Sequence, residues 1–429
     1  MFSHANDAMA GVGGTGHARS VFVTNDALSG HIGTAQILPY LEGLAARGHI
    51  LESLSVETRV NDWDREGAWR KRLEVAAIRY YPLRRSAGPL YKLERFLLPS
   101  RLARALERSI AGARPDLIHC RSYMPLKAVL EASARHRIPF LFDMRGFWID
   151  QRIEGGFWNM DRLIWQQVVK WLRATESRAI SEASAIVTLT ADARDIVSSR
   201  PDYNGAPISV IPCSVRGDIF RPLSGKPDRR SRLGIPAQSR VIAYLGSAGG
   251  LYRLDVLYRL WQSMTERGVQ TSLLFIGDHQ FASHAEAAAQ VGVVLDPRLC
   301  FFVRCAHHEV PGMLATADVG ISPIIQNFSS LGVSATKVGE YLSCGLPVVT
   351  NAGVGDARRI ITDGENGFVL PDFGDDAIAQ CTAAVIAGLD GGFLPPQEIS
   401  RRAGTYFRMD HAISAYDAIY RNFVSESRT

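Results

Sequence analysis

The chain is expected to fold as an α/β protein of two doubly wound parallel-sheet domains facing one another across a cleft. Three observations carry this. Short apolar runs alternate with amphipathic helical patterns, the alternation starts afresh near Val241, and 429 residues is long for one core but suits two.

In the first half, residues 20–23, 117–119, 140–142, 185–189 and 209–211 read as strands, and 35–47, 102–110, 126–133 and 163–182 as helices. The second half opens with a strand at 241–245, a helix at 254–267, a strand at 271–276 and a helix around 285–290. Strands follow at 293–295, 301–303, 319–321 and 347–350. Residues 220–239, rich in Pro, Gly, Arg and Ser, form the natural linker between domains at 20–219 and 240–405, and 406–429 holds a last amphipathic helix. Residues 1–19 are glycine-rich without a central apolar segment and read as a disordered leader or a misplaced start, not a signal peptide.

Composition narrows the function classes. A hydrophobic fraction of 46% with mean hydropathy near zero is ordinary for a water-soluble chain. No run reaches the roughly 18 apolar residues of a membrane span. Six scattered cysteines, with none at zinc-site spacing, point to reduced thiols in a cytoplasmic protein and to no metal site. The net charge of +5 is unevenly placed, with twelve Lys or Arg against four Glu between Arg65 and Arg108. Aromatic and apolar residues interleave with these cations. The stretch is either a solvated helical face or a surface for an anionic bilayer and a lipid-linked acceptor. No recognised module supports nucleic-acid binding.

Residues 334–356, SATKVGEYLSCGLPVVTNAGVGD, concentrate the chemistry. Ser334 is placed to cap a short helix whose first turn carries Lys337, with Glu340 three residues on and on the same face. A helix start beside a lysine suits a diphosphate, and a carboxylate one turn deeper suits sugar hydroxyls. The bland alternative is a capped helix with a surface Lys–Glu pair. Upstream, AYLGSAGGLYRLD at 243–255 reads as strand, glycine loop and helix. Gly246, Gly249 and Gly250 permit a tight turn with N–H groups free for phosphate oxygens. Arg253 is either a second cation for that phosphate or a solvent-facing helix residue, and Arg304 either lies near a nucleotide base or is a surface arginine.

The blocks ADVGISPI, TKVGEYLSCGLPVVT and GDARRIITDGENGFVL resemble the C-terminal signature of glycosyltransferase family 4, the retaining nucleotide-sugar glycosyltransferases. The N-terminal segments VFVTNDALSGHIGTAQILPYLEGLAARGH, RPDLIHC, SEASAIVTLTADARD and SVIPCSVRGDIFRP fall in that family's order, so the resemblance spans nearly the whole chain. It implies the GT-B arrangement, with the terminal helix crossing back to the first domain. It also implies metal-independent transfer of a sugar, hexosyl in type, from a nucleotide-sugar, UDP- or GDP-linked, to a glycan, lipid-linked or small-molecule hydroxyl, with no cofactor. Such a protein would serve polysaccharide biosynthesis, cytoplasmic or peripheral on the inner membrane face.

Residue by residue, Glu340 matches the second glutamate of the family's paired motif, which binds the nucleotide ribose. Where the first should stand, eight residues earlier, the chain has Gly332. Either backbone groups of Gly332 and Val333 meet the donor sugar, with Ser330 and Ser334 nearby, or an offset in the loop lets another polar residue substitute. The resemblance puts Gly30, His31 and Gly33 where acceptor and leaving phosphate approach. His31 is either a ligand for a phosphate or hydroxyl, or a turn histidine. Arg145 stands where the family commonly has a histidine. It cannot act as a base, but it can clamp an anion with Asp143 behind it. Alternatively, the Asp143–Arg145 pair is structural. Phe147 and Trp148 are either a stacking platform for an acceptor sugar or a roof over the core, and His119 and Arg121 face the same region. Lys337, Arg145, His31 and Asp143 are the residues expected nearest the reaction. The rival readings are a GT-B sugar-nucleotide epimerase or hydrolase, and an inactive nucleotide-sugar-binding scaffold.

Overall fold

The computed structural model describes residues 16–57, 67–84 and 91–426, without the side chains of residues 91–97, 227, 425 and 426. The chain divides into two compact units. One comprises the residues up to Ile149, Trp158–Ile211 and the helix Met409–Glu426; the other comprises Asp150–Phe157 and Pro212–Arg408.

The first unit is built on a seven-stranded sheet: β1 (Arg19–Thr24), β2 (Ile50–Glu57), β3 (Arg79–Arg84), β4 (Leu117–Arg121), β5 (Phe140–Asp143), β6 (Ala185–Thr188) and β7 (Ile208–Val210). Its order is β3-β2-β1-β4-β5-β6-β7 and every pairing is parallel. Helices cover such a sheet on both faces, which is why its central strands are near-continuous apolar runs. Strands β2 and β3 escaped the sequence reading. In β2 the apolar pattern is broken by Glu52, Ser53 and Ser55, all buried. Ser109 Oγ donates to the Glu52 carboxylate at 2.7 Å and Ser55 Oγ to the Glu57 carboxylate at 2.6 Å, so Glu52 and Ser55 are satisfied inside the fold, whereas Ser53 Oγ is buried with no hydrogen-bond partner among the described residues. The terminal strand β3 carries Pro82 and arginines, as edge strands tolerate. Of the leader expected over 1–19, residues 1–15 lie outside the described residues, and Arg19 already opens β1. The helix Met409–Glu426 buries Tyr416 and Tyr420 among Phe22, Tyr40 and Leu41 of this unit.

The second unit holds six parallel strands, β8 (Arg240–Leu245), β9 (Thr271–Ile276), β10 (Cys300–Val303), β11 (Val319–Ile321), β12 (Val348–Asn351) and β13 (Gly367–Leu370). Their order is β10-β9-β8-β11-β12-β13. Residues 293–295 are not the strand expected from their apolarity; Val293 and Leu295 are buried in a loop. Strand β13 was missed as an element, and Gly367 permits it: a Cβ there would fall 2.0 Å from Val348 O. Among the described residues no single helix is long and apolar enough to cross a membrane.

Both sheets reverse strand order beside their first strand, between β1 and β4 and between β8 and β11. In open parallel sheets the crevice at such a reversal, at the carboxyl ends of the strands, receives ligands.

The segment 220–239, expected as a linker, contains the helix Lys226–Leu233 and is anchored within the second unit. Arg230 is buried and donates to Thr316 O (2.8 Å), Ser239 O (3.0 Å) and Asp318 Oδ2 (2.5 Å). Asp318 also accepts the β8 amide of Val241 at 2.7 Å and Lys226 Nζ at 2.5 Å. Breaking a buried ion pair from one side costs about 3–5 kcal/mol. Because Lys226 remains, Arg230→Met should destabilise by about 3 kcal/mol in urea unfolding. A loss under about 1 kcal/mol would show that Arg230 is not the anchor of this segment.

Candidate functional site

The second unit's reversal point brings together the two motifs singled out in the sequence. Strand β8 ends at Leu245, and Gly246 (φ 103°), Gly249 (φ 92°) and Gly250 (φ 68°) turn the chain through the left-handed region. The loop is pinned at its far end, where Arg253 N–H donates to Pro323 O (3.1 Å) and Ile325 N–H to Leu251 O (2.8 Å).

Facing it is the helix Thr336–Ser343. Its apolar side fixes its placement. Tyr341 lies over Gly320, where a Cβ would come within 2.6 Å of the ring, and its hydroxyl accepts the Leu245 amide at 2.7 Å. Gly339 gives way to Phe407 and Val215. Ser334 is not the cap that the sequence suggested. Ala335 occupies that position without a side-chain bond, and Ser334 Oγ accepts the Cys213 amide at 3.1 Å.

Lys337 is 6% exposed, and its Nζ has no hydrogen-bond partner among the described residues. The ammonium sits 3.5 Å from the Tyr252 ring centroid and 4.1 Å from that of Tyr244, beside Gly246. Burial pulls its pKa down to about 7, against the upward pull of Glu340. The two ring faces return part of the desolvation cost. Glu340, also buried, accepts from His307 Nε2 at 2.9 Å. His307 was not foreseen, since it lies in a loop 33 residues away with no motif around it.

Other expected donor residues divide. Arg253 is committed elsewhere: Asp255 holds its guanidinium through two 2.8 Å bonds, and it stacks 4.4 Å over Phe373. Arg304 follows β10 and is exposed. Ser330 and Gly332 are buried in the tight turn Ser329–Gly332 that leads to Val333. Ser330 Oγ donates to Asn327 O (2.6 Å) and Gly353 O (2.5 Å), so its hydroxyl serves the turn. Glu154, which the sequence reading passed over, accepts the Ser329 amide at 3.0 Å.

At the first unit's reversal point, Asp143 is the centre of a buried cluster. His119 Nε2 (3.4 Å), Arg121 Nη1 (3.3 Å), Tyr416 Oη (3.2 Å) and Arg145 Nη1 (3.4 Å) all converge on its carboxylate. Burial raises its pKa, but Arg145, the His119 hydrogen bond and Arg121 together hold it well below the carboxylate range. A carboxylate so held stays ionised at neutral pH, so Asp143 serves here as the shared acceptor that orients His119, Arg121 and Arg145 rather than as a base. His119, its pKa lowered by burial, also meets Tyr420 Oη at 2.9 Å. Phe147 is 3% exposed and cannot present a ring to an acceptor; it belongs to the core. Trp148 is half-buried and stacks on Tyr123 at 5.9 Å.

His31 is exposed, at the start of the first helix. Gly33 is required by packing, since a Cβ would fall 2.2 Å from Ala27 O. Gly30 closes the turn through its bond to Ala27 O at 3.1 Å. Glu57, unnoticed in the sequence, anchors this loop by accepting the Leu28 amide (2.8 Å) and the Ser29 hydroxyl (2.6 Å).

The depressed Lys337 pKa has a stability consequence. Between about pH 7 and the ordinary lysine range the unfolded chain holds a proton that the folded state lacks, so the cost is full below about pH 7 and fades toward pH 10. Lys337→Met should therefore raise the ligand-free Tm by at least about 2 °C at pH 7 and by much less at pH 9.5. A variant that melts lower, or by an unchanged difference at both pH values, would contradict the buried charge.

Residues 33–214 match the glycosyl transferase 4-like domain, and residues 239–387 match the glycosyl transferases group 1 domain. A D-inositol 3-phosphate glycosyltransferase of Stackebrandtia nassauensis is 24% identical over 382 residues, covering 83% of this chain and 81% of that one. One from Kribbella flavida is 26% identical over 324 residues, covering 70% and 71%. Among solved structures, the sucrose-phosphate synthase of Thermosynechococcus elongatus superposes with a TM-score of 0.71 at 16% identity, over 95% of this chain and 99% of that one. HepE of Anabaena, solved with UDP and glucose, gives 0.64 at 16% identity over 93% and 98%. Two glycosyltransferase domains in this order, each on its own parallel sheet, make the chain a glycosyltransferase of the GT-B fold, and it belongs to the family 4-like glycosyltransferases.

Proposed function

We propose that the chain moves a sugar from a nucleotide-sugar to an acceptor hydroxyl with retention of configuration and without a metal ion. The observation that carries this is Lys337, a nearly buried ammonium without a hydrogen-bond partner beside a loop of three left-handed glycines. A diphosphate supplies the counter-charge that the fold withholds, and its departure is eased by cationic and N–H groups already in place. Glu340 takes the ribose hydroxyls, held by His307. Gly332 offers no carboxylate where a covalent nucleophile would be needed. The acceptor hydroxyl is therefore taken to attack from the face that the diphosphate leaves, with a phosphate oxygen receiving its proton. HepE, a protein of the same fold, was solved with UDP and glucose, and a UDP-sugar is the first donor to test.

For the acceptor, relatives bearing the name D-inositol 3-phosphate glycosyltransferase point to a phosphate-carrying substrate. Arg145, two residues past the end of β5 and with its Nη1 3.4 Å from Asp143 Oδ1, carries the planar guanidinium proposed to meet such an anion. A glycan, small-molecule or lipid-linked acceptor would each satisfy this chemistry.

Work at an anionic membrane surface belongs to the same proposal, and its best support is not the Arg65–Arg108 stretch. There, residues 85–90, and with them Arg85, lie outside the described residues, as do the side chains of 91–97, including Arg95. Of eleven exposed large apolar side chains among the described residues, four fall within 157–171: Phe157, Leu163 (74% exposed), Ile164 (63%) and Trp171 (44%). The last three lie on the helix Leu163–Glu182, and residues 162–175 carry Arg162, Lys170 and Arg173 but no acid. Apolar side chains flanked by cations suit an anionic interface.

Lys337→Ala should weaken nucleoside-diphosphate binding by roughly 1.5–3 kcal/mol and leave nucleoside binding unchanged. Because the diphosphate restores the lysine's charge, calorimetry at pH 8.5 in buffers of different ionisation heat should show proton uptake by the wild type that the variant lacks. Equal diphosphate affinity, or uptake independent of Lys337, would remove it from the site.

Replacing Leu163, Ile164 and Trp171 together by Ser should abolish flotation with vesicles of phosphatidylcholine and phosphatidylglycerol while preserving nucleotide affinity. Wild-type protein that does not float, or a variant that still does, ends the membrane reading.

A further inference from the structure

Behind the glycine loop of the second unit runs a row of hydrogen bonds whose direction the chemistry fixes. His279 Nε2 lies 2.6 Å from Gly246 O, His279 Nδ1 lies 3.1 Å from His284 Nε2, and His284 Nδ1 lies 2.7 Å from the Tyr258 hydroxyl. A carbonyl oxygen only accepts, so His279 carries a proton on Nε2, and in the neutral ring its Nδ1 then accepts. That places the His284 proton on Nε2, and its own Nδ1 then accepts from Tyr258 O–H. The whole row points one way, from Tyr258 to Gly246, and needs both imidazoles neutral. Burial keeps them so at pH 7, holding His279 below its ordinary value and His284 at about 4.

A trans peptide carries its C=O and the next N–H on opposite edges. With Gly246 O turned onto His279, the Ser247 N–H points away from it, and it makes no backbone hydrogen bond among the described residues. Glycine at φ 103° would let this peptide reverse at little cost, so the loop's own sequence does not fix the orientation. The close approach depends on Gly277, whose Cβ would fall 2.8 Å from Gly246 O.

We propose that His279, backed by His284 and Tyr258, is a positioning residue that locks the Gly246–Ser247 peptide with its N–H presented to the donor's diphosphate, beside Lys337. The proposal deepens the donor reading above and rests on it. Reversed, the same peptide would turn a carbonyl oxygen toward the anion. The relay thus sets the sign of the loop's contribution as well as its shape.

The test compares His279→Leu, which removes the donor, with His279→Gln, whose amide N–H reaches the Nε2 position. Affinities for UDP, GDP and ADP and for the matching nucleosides are read by calorimetry, after cooperative unfolding has been verified. The leucine variant should lose about five- to tenfold in diphosphate affinity, the scale of one hydrogen bond, with nucleoside affinity unchanged. Glutamine should recover it to within about threefold. Should leucine prevent folding, His279→Asn, whose amide stops short at the Nδ1 position, gives the same contrast with glutamine. Unchanged diphosphate binding, equal loss for nucleoside and diphosphate, or glutamine as weak as the non-donating variant would overturn the proposal. If wild type binds no diphosphate the donor reading falls too. If wild type binds and Lys337→Ala does not, while His279→Leu binds normally, only the relay falls.

Discussion

A lysine ammonium kept from water without a carboxylate in contact is the constraint around which the second unit is arranged. Left alone, such a charge is expensive, and folded proteins normally pair it or neutralise it. Here two tyrosine faces and a depressed pKa let Lys337 stay buried. The surrounding glycines let the helix that carries it seat closely. Gly320 admits Tyr341 and Gly339 admits Phe407, while Gly246 is glycine for its left-handed φ of 103° beside the ammonium. The helix Thr336–Ser343 is thus wedged in place by its apolar side so that its polar side can remain incompletely satisfied. Stability is given up at one atom, and the rest of the helix offsets it.

The first unit treats its charges in the opposite way. Asp143 is surrounded by His119, Arg121, Arg145 and Tyr416, so its carboxylate is saturated and stays ionised. Such a group organises its neighbours rather than exchanging protons. Tyr416 and Tyr420 come from the terminal helix, some 270 and 300 residues from their partners in sequence, which makes the last helix part of the polar centre of this unit. Glu57 does similar work for the loop carrying Gly30 and His31. One unit therefore keeps a cation available, while the other spends its ion pairs on rigidity.

The sequence by itself determined the fold class, through the alternation of strand and helix periods, the family, through motif blocks that resemble it along nearly the whole chain, and the Lys337–Glu340 face, through spacing within one helix. The glycine loop was legible for the same reason: three glycines in five positions after an apolar run have few uses. Strands β2 and β3 were not legible, since buried serines, Glu52 and a proline mask an apolar pattern that only their neighbours in the sheet complete. The true state of Arg253, bound to Asp255, and of Phe147, sunk into the core, likewise followed from contacts rather than residue type. Only tertiary structure brought His307 to Glu340 and His279 to Gly246, across about 33 residues each. Parallel strands joined by crossover helices make remote segments neighbours at the sheet's carboxyl edge, and no local pattern records which side chains will meet there.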